Sequence, residues 1–248
     1  MTEFEKALDD IKQRHLPNSP QDKKNYKCTK CRDSGWIEVI HEGHIRMKRC
    51  DVCESRRLMI QSGISQEFQT KCFENFDTRN DSQLMNAKGK AVEYCRSFLD
   101  IEHTRNNSIM FYGQVGSGKT HLGTAICSRL MSRNIAVTYM TYRNTVTKIK
   151  QRMTDEADYN REVSRYSGAR VLYIDDLLKG RITESDVNIM YEIVNYRYMN
   201  SLPVIISTEK TLDELLEFDE AIGSRLIEMC RGNIIQLQGK ELNYRLFS

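Results

Sequence analysis

Three prolines and a single tryptophan stand in 248 residues, and no apolar run approaches the roughly 18 residues that cross a bilayer. So few prolines argue against long disordered linkers, and the absent apolar run leaves no candidate for a membrane-spanning helix. The opening stretch MTEFEKALDDIKQRH is charged throughout and lacks the apolar centre of a secretory signal. A cytoplasmic protein with no membrane partner is therefore expected. Strong charge of one sign is also missing: the formal net charge is only +3, too small by itself to mark a nucleic-acid binder. What remains is a globular composition, 40% hydrophobic and 29% charged. The length fits one α/β domain of ordinary size with a smaller appendage.

The charge is unevenly placed. Between Lys23 and Arg57 ten basic side chains face five acidic ones, a balance of +5, which leaves −2 for the rest of the chain. A basic module on a near-neutral body suits a polyanion or an acidic partner surface, and a merely solvated face is the alternative. The same stretch holds Cys28, Cys31, Cys50 and Cys53 as two C-x-x-C pairs separated by 18 residues. That separation lies within the roughly 15–20 of a four-thiolate zinc site. Two such knuckles fastened by tetrahedral Zn²⁺ form a ribbon where there are too few apolar residues for a core. The spacer reads as a hairpin turning at Gly43. With four thiolates the ion is closed and structural. His41 and His44 near the turn are alternative ligands or exposed turn residues, and a four-cysteine iron–sulfur cluster is the chemical alternative. Cys72, Cys95, Cys127 and Cys230 stand singly and read as packing residues in a reducing compartment.

Along the chain, Phe4, Leu8 and Ile11 recur at helical spacing in residues 1–15, and Leu16–Lys24 with Pro17 and Pro20 reads as a linker. The expected division is a helix and zinc-ribbon adaptor over 1–57, a linker over 58–81, and the main domain over 82–248. Within that domain helical and short apolar segments alternate. Strands are predicted at Ser108–Tyr112, Ile135–Met140, Val171–Ile174, Val204–Ser207 and Ile234–Leu237. Helices are predicted at Leu84–Leu99, His121–Met131, Asn144–Met153, Glu184–Met199, Asp213–Leu216 and Glu220–Met229. This order predicts a three-layer α/β domain, a parallel sheet covered on both faces.

Directly after the Ser108–Tyr112 strand comes Gly113-Gln114-Val115-Gly116-Ser117-Gly118-Lys119-Thr120, followed by His121 and a helix. This matches G-x-x-x-x-G-K-[ST] in full, in the required strand–loop–helix context. Its glycines let successive N–H groups converge on phosphate oxygens, and the helix N-terminus adds partial positive charge. Lys119 would reach the β- and γ-phosphates of ATP, and Thr120 would offer its hydroxyl to Mg²⁺. The strand Val171–Ile174 ends in Asp175 and Asp176, at the end of the sheet where α/β proteins bind ligands. Asp175 would complete the Mg²⁺ site, and Asp176 would orient or deprotonate an attacking water, unless it only caps the next segment.

These stretches, with SGISQEFQTKCFENFD and AIGSRL, resemble an AAA+ ATPase, and more narrowly the bacterial and phage helicase loaders of the DnaC/DnaI type, over roughly Gly63 to Arg245. The same core occurs in IstB-type transposition helpers. The resemblance implies ATP hydrolysis coupled to placing a hexameric replicative helicase on single-stranded DNA, with residues 1–57 gripping the helicase. It also implies that Arg225 reaches a neighbouring subunit's nucleotide, so that the chain self-associates. The alternatives are a transposition helper and a nucleotide switch that does not hydrolyse. Two departures stand out. Asp176 takes the place of a common Glu, and Thr208 and Glu209 stand where a polar sensor, often Asn, follows the Val204–Ser207 strand. Of these two, Thr208 is expected at the γ-phosphate. Arg245 is a further candidate for the phosphates or a tail residue, and Phe73 and Phe76 pack in the core or beside adenine.

Overall fold

The computed structural model describes residues 26–41 and 44–247. The expected N-terminal helix, the linker Leu16–Lys24 and the Gly43 turn lie outside the described residues. The chain divides into two compact units, Met1–Cys50 and Asp51–Ser248.

In the first unit, β1 (Trp36–His41) pairs antiparallel with β2 (His44–Arg49). The hairpin has almost no interior: Ile40 is 81% exposed and Ile45 70% exposed. Something other than apolar burial must hold this unit together.

The second unit opens with α1 (Asp51–Ser62) and α2 (Gln66–Gln69), then α3 (Ser82–Ile101). From there strands and helices alternate as β3 (Ile109–Gly113), α4 (Lys119–Met131), β4 (Val137–Thr141), α5 (Tyr142–Lys150), α6 (Glu156–Ser167), β5 (Val171–Leu177), α7 (Glu184–Met199), β6 (Val204–Thr208), α8 (Leu212–Phe218), α9 (Glu220–Met229) and β7 (Ile234–Leu237). The five strands β3–β7 form one parallel sheet in the order β4-β5-β6-β3-β7. Successive residues of each central strand enter opposite cores. Phe111, Tyr173 and Ile205 join Leu84, Phe98, Leu122 and Ile126 on one face. Met110, Leu172, Ile174 and Ile206 join Ile149, Ile189, Ile193 and Leu226 on the other. Both faces are apolar because both are covered, which is the expected three-layer parallel α/β fold.

Three helices were not legible. Segment Leu58–Phe76, expected only to lead into the main domain, includes most of the last two turns of α1, the short α2 and the buried Ile64, Phe73 and Phe76. Helix α6 is mostly polar and buries only Val163, Tyr166 and Ser167, so its periodicity is faint; it starts where Asp155 accepts a 3.0 Å bond from the Asp158 amide. Strand β5 runs on through Leu177, and its pairing with β6 shifts register between Ile174 and Leu177. A bulge of this kind re-aims side chains, and the two side chains within it are Asp175 and Asp176.

Candidate nucleotide and metal sites

The loop between β3 and α4 takes its shape from backbone conformations that L side chains resist. Gly113, Gly116 and Gly118 have φ of 108°, 72° and 87°. Space matters as much as torsion at Gly118, where an added methyl would meet Phe76 Cε2 at 2.7 Å. The loop borders a cavity of about 610 Å³, which Gly116–His121 line together with Phe76, Tyr139, Asp175, Asp176, Glu209, Tyr244 and Arg245. Gly113, Gln114 and Val115 do not line it; the first two turn their carbonyls to Lys119, and Val115 is 39% exposed.

Lys119 is buried, and its ammonium donates to Gly113 O at 3.0 Å and to Gln114 O at 2.5 Å. Burial lowers its pKa, opposed by the carboxylates of Glu209, Asp176 and Asp175. Thr120 Oγ1 donates to Asp175 Oδ1 at 2.9 Å, so the two residues expected to share a metal already touch. Asp175 is 4% exposed and makes no ion pair among the described residues. Its hydrogen-bond donors among the described residues are all hydroxyls: Tyr139 donates to Oδ2 at 2.7 Å, while Thr120, Tyr173 and Ser207 donate to Oδ1. Burial, then the Asp175 charge, pushes both tyrosines well above the ordinary phenol range, so they remain donors. A buried carboxylate with hydroxyl partners and no direct ion pair among the described residues is a group that a divalent ion fits.

Asp176 has φ 54°, a left-handed conformation that Asp tolerates better than most. Its carboxylate accepts from Lys179 Nζ at 2.8 Å, and Lys179 also reaches Glu209 at 3.3 Å. The candidate water-orienting group is thus held in an ion pair at the cavity wall. His121 Nε2 lies 2.9 Å from Cys72 O and from Asn75 Oδ1, and its ring meets Phe76 edge-on at 5.1 Å. Phe73 and Phe76 both lie in the core, and Phe76 also borders the cavity.

Thr208 departs from expectation. It is fully buried, its hydroxyl donates to Leu177 O at 2.8 Å and accepts from the Lys210 amide at 3.1 Å, and it does not line the cavity. The turn after β6 uses that hydroxyl internally, leaving Glu209 at the wall. Arg225, on α9, also lies away from the chain's own cavity. Its Nη1 donates to Ala221 O at 2.6 Å, and the guanidinium sits 5.3 Å from the Tyr198 ring and 5.6 Å from the Tyr191 ring.

Tyr139, Tyr173, Ser207 and Lys179 were not foreseen. Tyr173 stands two residues before Asp175 and shares its face by the period of a strand. Tyr139 becomes visible only once β4 is known to pair with β5, where it lies opposite Tyr173.

The four cysteines of the paired motifs come together, with every Sγ within 4.8 Å of the others. Cys28 Sγ and Cys50 Sγ are 3.7 Å apart. That is close to the edge of about 3.8 Å that follows from tetrahedral Zn–S bonds of about 2.3 Å, and far beyond the roughly 2.05 Å of a disulfide. Asp33 closes the first knuckle by accepting from the Cys28 amide at 2.8 Å and the Lys27 amide at 3.1 Å. The set fits a single zinc ion. His41 and His44 are exposed and stand outside it.

A profile of the IstB-like ATP binding protein family matches residues 33–245. The Bacillus subtilis uncharacterized protein YqaM is 37% identical over 88% of this chain and 71% of its own length. The phage-like element PBSX protein XkdC of the same organism is 34% identical over 98% and 97%. The replicative helicase loader DnaC of Escherichia coli K12 is 28% identical over 71% and 69%. Among solved structures, DnaI superposes with a TM-score of 0.59 at 19% identity, over 71% of this chain and 95% of that one.

Proposed function

The chain belongs to the IstB-like ATP-binding family, and we propose that within it this protein hydrolyses ATP to load a hexameric replicative helicase onto single-stranded DNA. The observation that carries the ATPase half is the convergence of Lys119, Thr120 and Asp175 on one cavity beside Asp176. Thr120 and Asp175 would hold Mg²⁺, which supplies positive charge at the terminal phosphates. Lys119 leaves its loop carbonyls for the β- and γ-phosphates, where its ammonium offsets charge developing in the transition state. Asp176, released from Lys179, orients the attacking water in line with the bond that breaks. A neighbouring subunit supplies Arg225, which explains why that arginine lies away from its own chain's cavity. A trans arginine of this kind adds about 10³–10⁵ in rate.

The loader half rests on the similarity to DnaC and on the four-cysteine ribbon, which serves as the adaptor that grips the helicase. The family profile itself favours a second reading, an ATPase helper of DNA transposition. Affinity capture with the tagged full-length chain distinguishes them. Recovery of a hexameric helicase that depends on intact Cys28–Cys53 supports loading, and recovery of a transposase supports the second reading. The Asp176–Lys179 pair favours a third reading, a nucleotide switch without turnover. Steady-state phosphate release in the presence of single-stranded DNA decides that point.

A further inference from the structure

The Asp175 carboxylate is surrounded more completely than holding a metal requires. Each carboxylate oxygen has room for about two hydrogen bonds. Oδ1 takes three donors, from Thr120 at 2.9 Å, Tyr173 at 2.8 Å and Ser207, whereas Oδ2 takes one, from Tyr139 at 2.7 Å. Tyr173 and Ser207 are fully buried behind the carboxylate, while Thr120 and Tyr139 line the cavity. When Thr120 turns its hydroxyl to a metal, Oδ1 is left with two donors and is full. The oxygen with spare acceptor capacity is then Oδ2, and its one neighbour is Tyr139.

We propose that Tyr139 is a positioning residue for the metal half of the nucleotide site, holding Asp175 so that Oδ2 is presented to a magnesium ion or its bound water. The proposal rests on the nucleotide reading above and extends it to a residue outside both the phosphate loop and the acidic pair. The ring is placed for this task twice over. Tyr139 lies directly across from Tyr173 in the β4–β5 ladder, and the two rings pack with centroids 5.3 Å apart. Both hydroxyls therefore approach one carboxylate from adjacent strands, one on each oxygen. Rotation of the carboxylate about its Cβ–Cγ bond would break donors on both oxygens at once. Phenylalanine would pack as well as tyrosine at position 139, but would leave Oδ2 to mobile water from the cavity in place of a fixed donor.

The test is the magnesium dependence of nucleotide binding by the full chain, read by titrating a fluorescent ATP analogue with Mg²⁺ and, separately, in excess chelator. Groups that orient a metal ligand typically change metal affinity by about 10–100-fold. Tyr139→Phe should therefore raise the magnesium midpoint by about tenfold or more, with chelator-state affinity and melting temperature close to wild type. Tyr173→Phe should give a smaller shift, because Ser207 still restrains Oδ1. An unchanged midpoint in Tyr139→Phe overturns the proposal. So does a parallel loss of chelator-state affinity and melting temperature, which would mark the tyrosine as packing only. A larger shift in Tyr173→Phe than in Tyr139→Phe also overturns it. If the wild-type chain binds the analogue without any response to magnesium, the nucleotide reading fails first and takes this proposal with it.

Discussion

Thr208 and His121 both flank the nucleotide cavity in sequence, yet their surroundings give them different work. The Thr208 hydroxyl ties Leu177 O to the Lys210 amide in a fully buried turn. Thr208→Val should lower stability by about 1–3 kcal/mol, the usual effect of orphaning buried backbone groups, and leave ATP affinity unchanged. Urea denaturation alongside nucleotide titration checks both parts. His121 is half-buried against Phe76, and burial is the main cause that holds its pKa below the ordinary 6.5. The unfolded chain therefore takes up that proton first as pH falls. The stability associated with neutral His121 is complete above about pH 6.5 and is lost below it, toward the depressed folded value. Denaturation midpoints should fall between about pH 7 and pH 5, and His121→Gln should flatten that fall. At this scale the phosphate-loop motif stood out because it is contiguous, and Gly116–His121 line the cavity while Gly113, Gln114 and Val115 do not. The hydroxyls around Asp175 were not, because Tyr139, Tyr173 and Ser207 come from three strands whose adjacency only the fold creates.

Among the elements, strands were read more surely than helices. The central strands β3, β5 and β6 carry short apolar runs, and burial on both faces makes those runs plain. Helix α6 covers the sheet at second hand, burying few residues, so its sequence carries little periodicity. The β1–β2 hairpin is the opposite case, an element whose apolar residues Ile40, Ile45 and Met47 are exposed. The four clustered cysteines are compatible with a zinc ion that would supply its cohesion. Purified protein should contain about one zinc per chain and no iron, measured by elemental analysis. Cys31→Ser or a strong chelator should abolish the hairpin's amide-exchange protection while the Asp51–Ser248 unit still melts cooperatively. Full retention of hairpin protection in the metal-free protein would show that zinc is not its core.

For the whole molecule, the proposed ATPase needs a neighbouring subunit if Arg225 acts in trans. Its guanidinium is held against Tyr191 and Tyr198 and away from its own nucleotide cavity. Arg225→Ala should keep ATP affinity and lose about 10³-fold or more of the turnover. Mixing it with Asp176→Asn, which keeps the arginine but lacks the water-orienting carboxylate, should restore part of the activity. No recovery at any ratio would place Arg225 outside the chemistry.

The proposed ATPase depends on Lys119, Thr120 and Asp175 forming a magnesium–ATP site, and calorimetric titration of ATP with and without Mg²⁺ tests that most directly. The wild-type chain should bind one ATP more tightly with magnesium than without, and Lys119→Ala should lose at least about tenfold in affinity, or roughly 1.4 kcal/mol, at an unchanged melting temperature. Equal ATP affinity in wild type and Lys119→Ala, or wild-type binding indifferent to magnesium, would contradict the account.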